Sequence, residues 1–319
     1  MLSEEKIIST LQAMFPQHIG DDGAVIPFSE KESYVVTKDL LVEDIHFSLK
    51  YTPPEALAHK AIHVNLSDLA AMGARPYGLF LGVAIPPGLE VFIEGFLQAL
   101  SPLCKEQNIL LLGGDTTASA HGLFLSVTAM GIALKQHIKY RHLARKGDVI
   151  CVAGELGYAS MGLEALERGE EGFELFKTHF LKPRARVEEG IWLGQQNAVT
   201  AMMDLSDGLW VDLHKLCKAS QLGAHLHCEE FPMEPEWLKA CKSLHLDPRE
   251  QQLSGGEDYG LLFTVQGEEE ETLRKAFEKK FAYSWKKVGV MTERGIQCFE
   301  KGMPVGMPLK PFSHFGELK

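Results

Sequence analysis

Asn65-Leu66-Ser67-Asp68-Leu69-Ala70-Ala71-Met72-Gly73 closes a helical pattern that Pro53-Pro54-Glu55 opens. Proline suits a first helical turn, and glycine just past the last apolar position suits a stop. The helix predicted from Pro53 to about Met72 lies among strand-like runs. Upstream, Tyr34-Val35-Val36 leads into Thr37-Lys38-Asp39, where the strand is expected to end. Downstream, Tyr77 to Ile85 reads as a strand closed by Pro86-Pro87-Gly88, and Leu89 to Glu106 as a helix. Ile109 to Leu112 reads as a short buried strand leading into Gly113-Gly114-Asp115, and Leu123 to Leu134 as another strand. Ser3 to Phe15 carries a helical stripe.

Lys135 to Lys146 turns basic and polar, which places a domain boundary there and divides the chain into 1–137 and 138–319. Beyond it, strands are expected at Asp148–Ala153, Val199–Met203, Leu222–Cys228, Tyr259–Val265 and Ser284–Val290. Helices are expected at Gly157–Arg168, near Phe173–Leu181 and Ala185–Gln195, and at Leu209–Ser220 and Glu268–Lys280. Strict β-α-β alternation is missing from both halves, so the expected fold class is α+β with two mixed domains. Leu66-Ser67-Asp68-Leu69 echoes in Leu205-Ser206-Asp207-Gly208-Leu209, and Gly113-Gly114-Asp115 in Gly255-Gly256-Glu257, which raises the idea of two related halves.

The 319 residues are 45% apolar and 24% charged, enough for a real core and too ordered in composition for a long disordered chain. No apolar run reaches the roughly 18 residues of a membrane helix. Met1-Leu2-Ser3-Glu4-Glu5-Lys6 lacks a secretory signature, so a cytoplasmic protein is expected. The formal charge of −11 disfavours nucleic acid and anionic membrane as partners. An anionic substrate would need local neutralisation, for which divalent cations are the usual means. The six cysteines form no C-x-x-C, and a disulfide framework is not expected. His225-x-His227-Cys228 reads as strand packing in preference to a soft-metal site, because zinc spacing is lacking.

Phosphate-loop, protein-kinase, nucleophile-elbow, H-E-x-x-H and dinucleotide signatures are absent from the sequence. What recurs is aspartate at expected strand ends and in glycine-rich turns: Asp21-Asp22, Asp39, Asp68, Asp115, and Asp204 with Asp207. Such positions suit turns and caps in general. Yet Asp115 follows two glycines that let backbone approach a ligand. Asp204 closes a strand three residues before Asp207 at a helix start, so the two can converge on one cation. Hard oxygen donors of this kind suit Mg²⁺, which carries phosphate oxygens. Two like charges about 4 Å apart repel by roughly 4 kcal/mol at an effective dielectric near 20. Converging carboxylates therefore call for several divalent ions or for raised carboxylate pKa values.

Seven segments together resemble thiamine-monophosphate kinase, of the superfamily that includes aminoimidazole ribonucleotide synthetase. They are Gly20-Asp21-Asp22-Gly23-Ala24, Thr37-Lys38-Asp39 with Leu41 to Phe47, Asn65 to Ala74, Gly113-Gly114-Asp115-Thr116-Thr117, Asp204 to Leu209, Ser254 to Tyr259, and Phe312-Ser313-His314-Phe315. The resemblance implies ATP-dependent phosphorylation of thiamine monophosphate to thiamine diphosphate, by direct in-line transfer assisted by several Mg²⁺ ions. It implies a homodimer whose N-terminal domains pair strands into a barrel. It places Asp22, Thr37, Lys38, Asp39, Asp68, Asp115, Asp204 and Asp207 at metal positions, with Asp39, Asp204 and Asp207 closest to the transfer. It places Gly114, Asp115, Arg141 and Ser206 at ATP, and His46, Glu257 and Phe312 at the thiamine phosphate.

Two departures stand out: Lys38 where the family often has threonine, and Phe312 where it often has tryptophan or tyrosine. Among rival readings, selenophosphate synthetase would need a reactive cysteine near the N-terminus, and the first cysteine is Cys104. A maturation protein would need a C-terminal cysteine, whereas the sequence ends Gly316-Glu317-Leu318-Lys319. Another purine-pathway synthetase, a non-catalytic nucleotide-binding regulator and a Mg²⁺-dependent phosphatase are the remaining alternatives.

Overall fold

The computed structural model describes residues 4–15 and 19–306. The first part runs α1 (Glu4–Met14), β1 (Ala24–Pro27), β2 (Glu32–Val42), α2 (Pro54–Ala71), β3 (Arg75–Ile85), α3 (Glu90–Glu106), β4 (Leu110–Ala118) and β5 (Phe124–Leu134). After two short 3-10 turns, Lys135–His137 and Arg141–Leu143, come β6 (Val149–Ala153), α4 (Tyr158–Arg168), α5 (Glu174–Leu181), α6 (Val187–Gly194), β7 (Val199–Asp204) and α7 (Leu209–Ser220). The chain continues with β8 (Gly223–His227), α8 (Pro235–Leu244), α9 (Pro248–Ser254), β9 (Leu261–Val265), α10 (Glu270–Phe281), β10 (Lys286–Thr292), β11 (Ile296–Glu300) and β12 (Met303–Val305).

Two mixed sheets result. The first has the order β1-β2-β5-β3-β4, antiparallel except for the parallel pair β3/β4. The second has the order β12-β11-β8-β10-β6-β9-β7, antiparallel except for β8/β11. The segments that echo one another in sequence fall in unlike local structure. Ser67-Asp68 is helical and Ser206-Asp207 is loop, while Gly113 to Asp115 is strand and Gly255 to Glu257 is not.

Helix α2 positions everything that follows. Nearly all of its side chains are buried, because sheet 1 covers one side and the second domain the other. On sheet 1, Val35, Leu41, Leu79, Leu81, Leu125 and Val127 pack with Leu57, Ile62, Leu66 and Leu69 of the helix. Ala70 and Ala71 instead join Cys151, Leu193, Met202 and Phe263 of the second domain. Contact with α6 is close enough that a Cβ on Gly190 would lie 2.2 Å from the Ala70 carbonyl oxygen. The connector is pinned too: the buried Lys139 ammonium donates to the carbonyls of Gln196 and Val199, each at 2.8 Å.

Two sequence expectations are corrected here. Strand β2 does not end at Asp39 but continues to Val42, because β5 pairs with it along its whole length. Likewise β4 runs through Gly113-Gly114-Asp115 to Ala118, held by the parallel ladder to β3, and it is exposed along its length, not buried. It is an edge strand whose outer side meets no other described element. His225 packs its ring 4.7 Å from that of Phe299. Among the described residues, no helix is long and apolar enough to cross a membrane.

Candidate active site

Three carboxylates from distant parts of the chain converge. Asp22 lies in the Gly20-Asp21-Asp22-Gly23 turn before β1, Asp68 lies on the last turn of α2, and Asp204 is the final residue of β7. One oxygen from each lies within 4.8 Å of the others. Along β2 the alternation of the strand buries Val35, Thr37 and Leu41 on the α2 side, and Asp39 shares that side. The Thr37 hydroxyl donates a short hydrogen bond to Asp68 Oδ2. The Ser67 hydroxyl donates to Asp204 Oδ2 at 2.9 Å.

Burial and mutual repulsion hold these groups away from ordinary ionisation. Asp39 is pushed up to about 6, first by burial and then by the Asp22 charge. Burial also raises Asp68, helped by Asp39, Asp204 and Asp22, with the Thr37 hydroxyl opposing. Asp204 is raised by burial and by Asp22 and Asp212, while Ser67 and Arg141 oppose. Hard, crowded oxygen donors that resist ionisation on their own are the donor set that fits Mg²⁺.

Arg141 supplies one fixed cation. Its guanidinium pairs with both carboxylate oxygens of Asp22, and its backbone N–H donates to Asp21 Oδ1 at 2.8 Å. Burial works against its charge, but Asp22, Asp204 and Asp21 more than offset that. Asp207 pairs with Lys215, which also bonds Asp212 Oδ1 at 2.9 Å. The Asp207 backbone N–H donates to Asp212 Oδ2 at 3.0 Å, fixing the turn into α7.

A cleft of about 900 Å³ opens from this cluster between the domains. Asp39, Asp68, Asp204, Ser206 and Asp207 line one end; His46, Tyr51, Phe180 and Glu257 line another part of its wall. Loops 205–208 and 255–259 run side by side there, with Glu257 N–H bonded to the Ser206 carbonyl at 2.7 Å and Tyr259 N–H to Leu205 at 2.8 Å. His46 accepts from the Val42 N–H through Nδ1 at 3.1 Å. Asp258, beside Glu257, turns the opposite way. It accepts from the Gly157 and Ala159 N–H groups at 2.6 and 3.0 Å, capping α4, and burial pushes it up to about 7.

The remaining sequence candidates lie elsewhere. Asp39 is in register with Val127, Val127 with Leu81, and Leu81 with Gly114. Three strand spacings put Gly114 about 14 Å from Asp39 within one chain. Asp115 accepts from the Thr116 N–H at 2.9 Å and is exposed. No side chain fits at Gly114, where a Cβ would lie 1.8 Å from the Leu81 carbonyl oxygen. Lys38 points to the face opposite Asp39 and donates to Ser126 Oγ at 2.6 Å and Thr128 Oγ1 at 3.5 Å. Phe312 lies outside the described residues.

Sequence reading did not single out Ser67, Lys60, Asp212, Lys215 or Asp258. A signal existed for three of them, Lys60 as the charge in a largely apolar helical run and two more by spacing. Asp212 and Lys215 are spaced i, i+3 on a predicted helix directly after Asp207.

Comparison with known proteins agrees over most of the chain. The profile of the AIR synthase related protein N-terminal domain matches residues 20–133, and that of the C-terminal domain matches 145–299. The thiamine-monophosphate kinase of Escherichia coli K12 is 35% identical over 314 residues, spanning 93% of this chain and 91% of that protein. That of Haemophilus influenzae is 34% identical over 312 residues, spanning 94% and 92%. The crystal structure of thiamine monophosphate kinase from Aquifex aeolicus superposes with a TM-score of 0.81 at 29% identity, covering 96% of this chain and 99% of that one. A structure described as AaThiL complexed with AMPPCP and TMP gives 0.85 at 29% identity, covering 98% and 97%. The Escherichia coli maturation protein HypE, at 21% identity and 0.72, covers 87% of this chain and 85% of its own and shares the fold. The two domain matches and the full-length relatives place this chain in the thiamine-monophosphate kinase family of AIR synthase related proteins.

Proposed function

We propose that the protein transfers the terminal phosphoryl group of ATP to the phosphate of thiamine monophosphate, giving thiamine diphosphate and ADP. The observation that carries this reading is the cluster of Asp22, Asp68 and Asp204, of which Asp68 and Asp204 line a cleft whose wall also carries His46 and Glu257. The ligands printed for the similar AaThiL structure, AMPPCP and TMP, support the same pairing of substrates.

Transfer is direct and in line: a terminal oxygen of thiamine monophosphate attacks the γ-phosphorus as the bond to ADP breaks. Asp22, Asp39, Asp68, Asp204 and Asp207 would hold several Mg²⁺ ions, with Thr37 orienting Asp68. Bound Mg²⁺ would supply charge neutralisation for the phosphates. Arg141 fixes Asp22 and offers positive charge to the nucleotide, and Ser206 lies on the loop beside it. His46, Glu257 and Phe312 take the organic end of the substrate. Positioning and charge neutralisation supply most of a phosphoryl-transfer rate.

Gly114 and Asp115 belong to the site through a second copy of the chain. Strand β4 is an exposed edge carrying Leu110, Leu111 and Leu112, and a homodimer pairing such edges into a barrel covers it. Lys38, with no side-chain acceptor, reaches a metal only through its carbonyl. The domain division at 137/138 and a cytoplasmic location complete the reading.

A coupled ADP assay with thiamine monophosphate, thiamine and an aminoimidazole ribonucleotide precursor side by side tests it. ADP formation dependent on thiamine monophosphate is expected. Phosphate release without substrate-dependent ADP points to a phosphatase and overturns it.

A further inference from the structure

Lys60 is the one charged side chain among the buried residues of α2, and it is 1% exposed. An ammonium taken out of water is stable only when its donors are met by good partners. Lys60 has three, each from a different part of the fold. It donates to Glu257 Oε2 at 2.7 Å and to the His46 carbonyl at 3.0 Å, and it lies 3.7 Å from the centroid of the Phe180 ring. Burial lowers its pKa and the Glu257 carboxylate raises it.

These partners are the wall of the cleft beyond the carboxylate cluster. His46 belongs to the loop after β2, Glu257 to the loop of the other domain, and Phe180 to α5. The Glu257 side chain is 24% exposed, so one oxygen is held by Lys60 while the group still borders the cleft. Its backbone is left-handed, φ 64°, as is that of Tyr259 at 49°. Such conformations persist when surrounding contacts hold them.

We propose that Lys60 is a positioning residue for the organic end of the substrate. It ties the Glu257 loop of one domain to the His46 loop of the other. It also compensates the charge of Glu257, so that this carboxylate serves as an oriented hydrogen-bond acceptor and not as a free counter-charge for a cationic ring. The inference rests on the thiamine-monophosphate reading and deepens it.

The test compares wild type, Lys60→Met, Lys60→Arg, Glu257→Gln and the Lys60→Met/Glu257→Gln double variant. Steady-state KM is read separately for thiamine monophosphate and ATP, and amide exchange is read over 43–47 and 255–259. Methionine keeps volume and removes the charge, and Glu257 can then turn to solvent, so the variant folds. Lys60→Met is expected to raise KM for thiamine monophosphate at least about tenfold, with KM for ATP within about twofold of wild type. Exchange should quicken over both segments together. Lys60→Arg should recover part of the KM, and the double variant should lose less than the product of the two single losses. An unchanged KM for thiamine monophosphate in Lys60→Met, or an equal rise for both substrates, overturns the proposal while leaving the activity standing. Wild-type protein inert towards thiamine monophosphate overturns the activity itself, and the role of Lys60 in binding it.

Discussion

The hydroxyl of Ser67 donates to Asp204 at 2.9 Å, and the two residues belong to different domains. One hydrogen bond thereby opposes the burial that raises Asp204 and joins the halves at the same point. Removing it leaves Asp204 against Asp22 and Asp212 with less help. Ser67→Ala should require about tenfold more Mg²⁺ for half-maximal rate, the scale of a lost hydrogen bond to a charged group. The rate at saturating Mg²⁺ should stay within about threefold of wild type. A Mg²⁺ titration of the steady-state rate checks this, and coincident curves would refute it.

Asp39→Asn and Asp204→Asn should each lower turnover at least about a hundredfold, the usual cost of one preorganised charge-stabilising contact. Stability should move the other way. The folded pKa of Asp39 is raised to about 6 from 3.8. Its favourable contribution is full below pH 3.8 and is lost as pH rises through about 6. With chelator at pH 8, Asp39→Asn should therefore melt above wild type, and at pH 4 the two should coincide.

A second copy of the chain is expected to supply Asp115. Light scattering should give twice 35.4 kDa for wild type and the single-chain mass for Leu111→Glu, which places a charge on the exposed edge strand. Mixing inactive Asp39→Asn and Asp115→Asn proteins, with exchange of subunits, should restore activity, because each mixed dimer then holds one intact site. If both aspartates served the same site from one chain, mixing would restore nothing.

His59 and His63 stack with ring centroids 4.0 Å apart on the buried length of α2. Burial lowers His59 to about 4, with Lys182 contributing, and His63 to about 3, with His59 and Arg184 contributing. The His63 Nδ1 accepts from the Ala185 N–H at 3.2 Å, which needs that nitrogen unprotonated. Both folded values lie below the ordinary 6.5, so the stabilisation is present above pH 6.5 and lost as pH falls through about 4 and then 3. His63 alone should cost on the order of 2 kcal/mol between pH 7 and pH 5. His59, partly open to solvent, adds less. Melting curves at the two pH values should converge in His63→Gln and separate in wild type.

What was legible in the sequence was what local chemistry decides. The ends of α2 follow from Pro53-Pro54 and Gly73, and β7 does stop at Asp204. Strands β2 and β4 were misjudged because aspartate and glycine are poor strand residues, and long ladders to β5 and β3 override that preference. Helix α9 is too short for a periodic signal, whereas α8 carries one, Trp237, Ala240, Cys241 and Leu244 at i, i+3, i+4 and i+7, that the sequence reading passed over. Ion pairs such as Lys60 with Glu257 join residues 197 positions apart. No spacing rule reaches that far. A lysine inside a largely apolar, buried helix does announce that a buried counter-charge must exist somewhere.

Gly114 has a bearing on how genetic data for this protein should be read. A Cβ there would collide with the backbone of β3 at 1.8 Å. Every substitution at 114 therefore parts the β3/β4 ladder before any ligand is involved. A saturation screen scored on growth would rank position 114 beside Asp39 and Asp204, and the ranking would mix two unlike defects. Aspartate variants should accumulate as soluble, inert protein, whereas variants at 114 should vanish from the soluble fraction. Pairing the screen with an abundance measurement separates a broken scaffold from a disarmed catalyst.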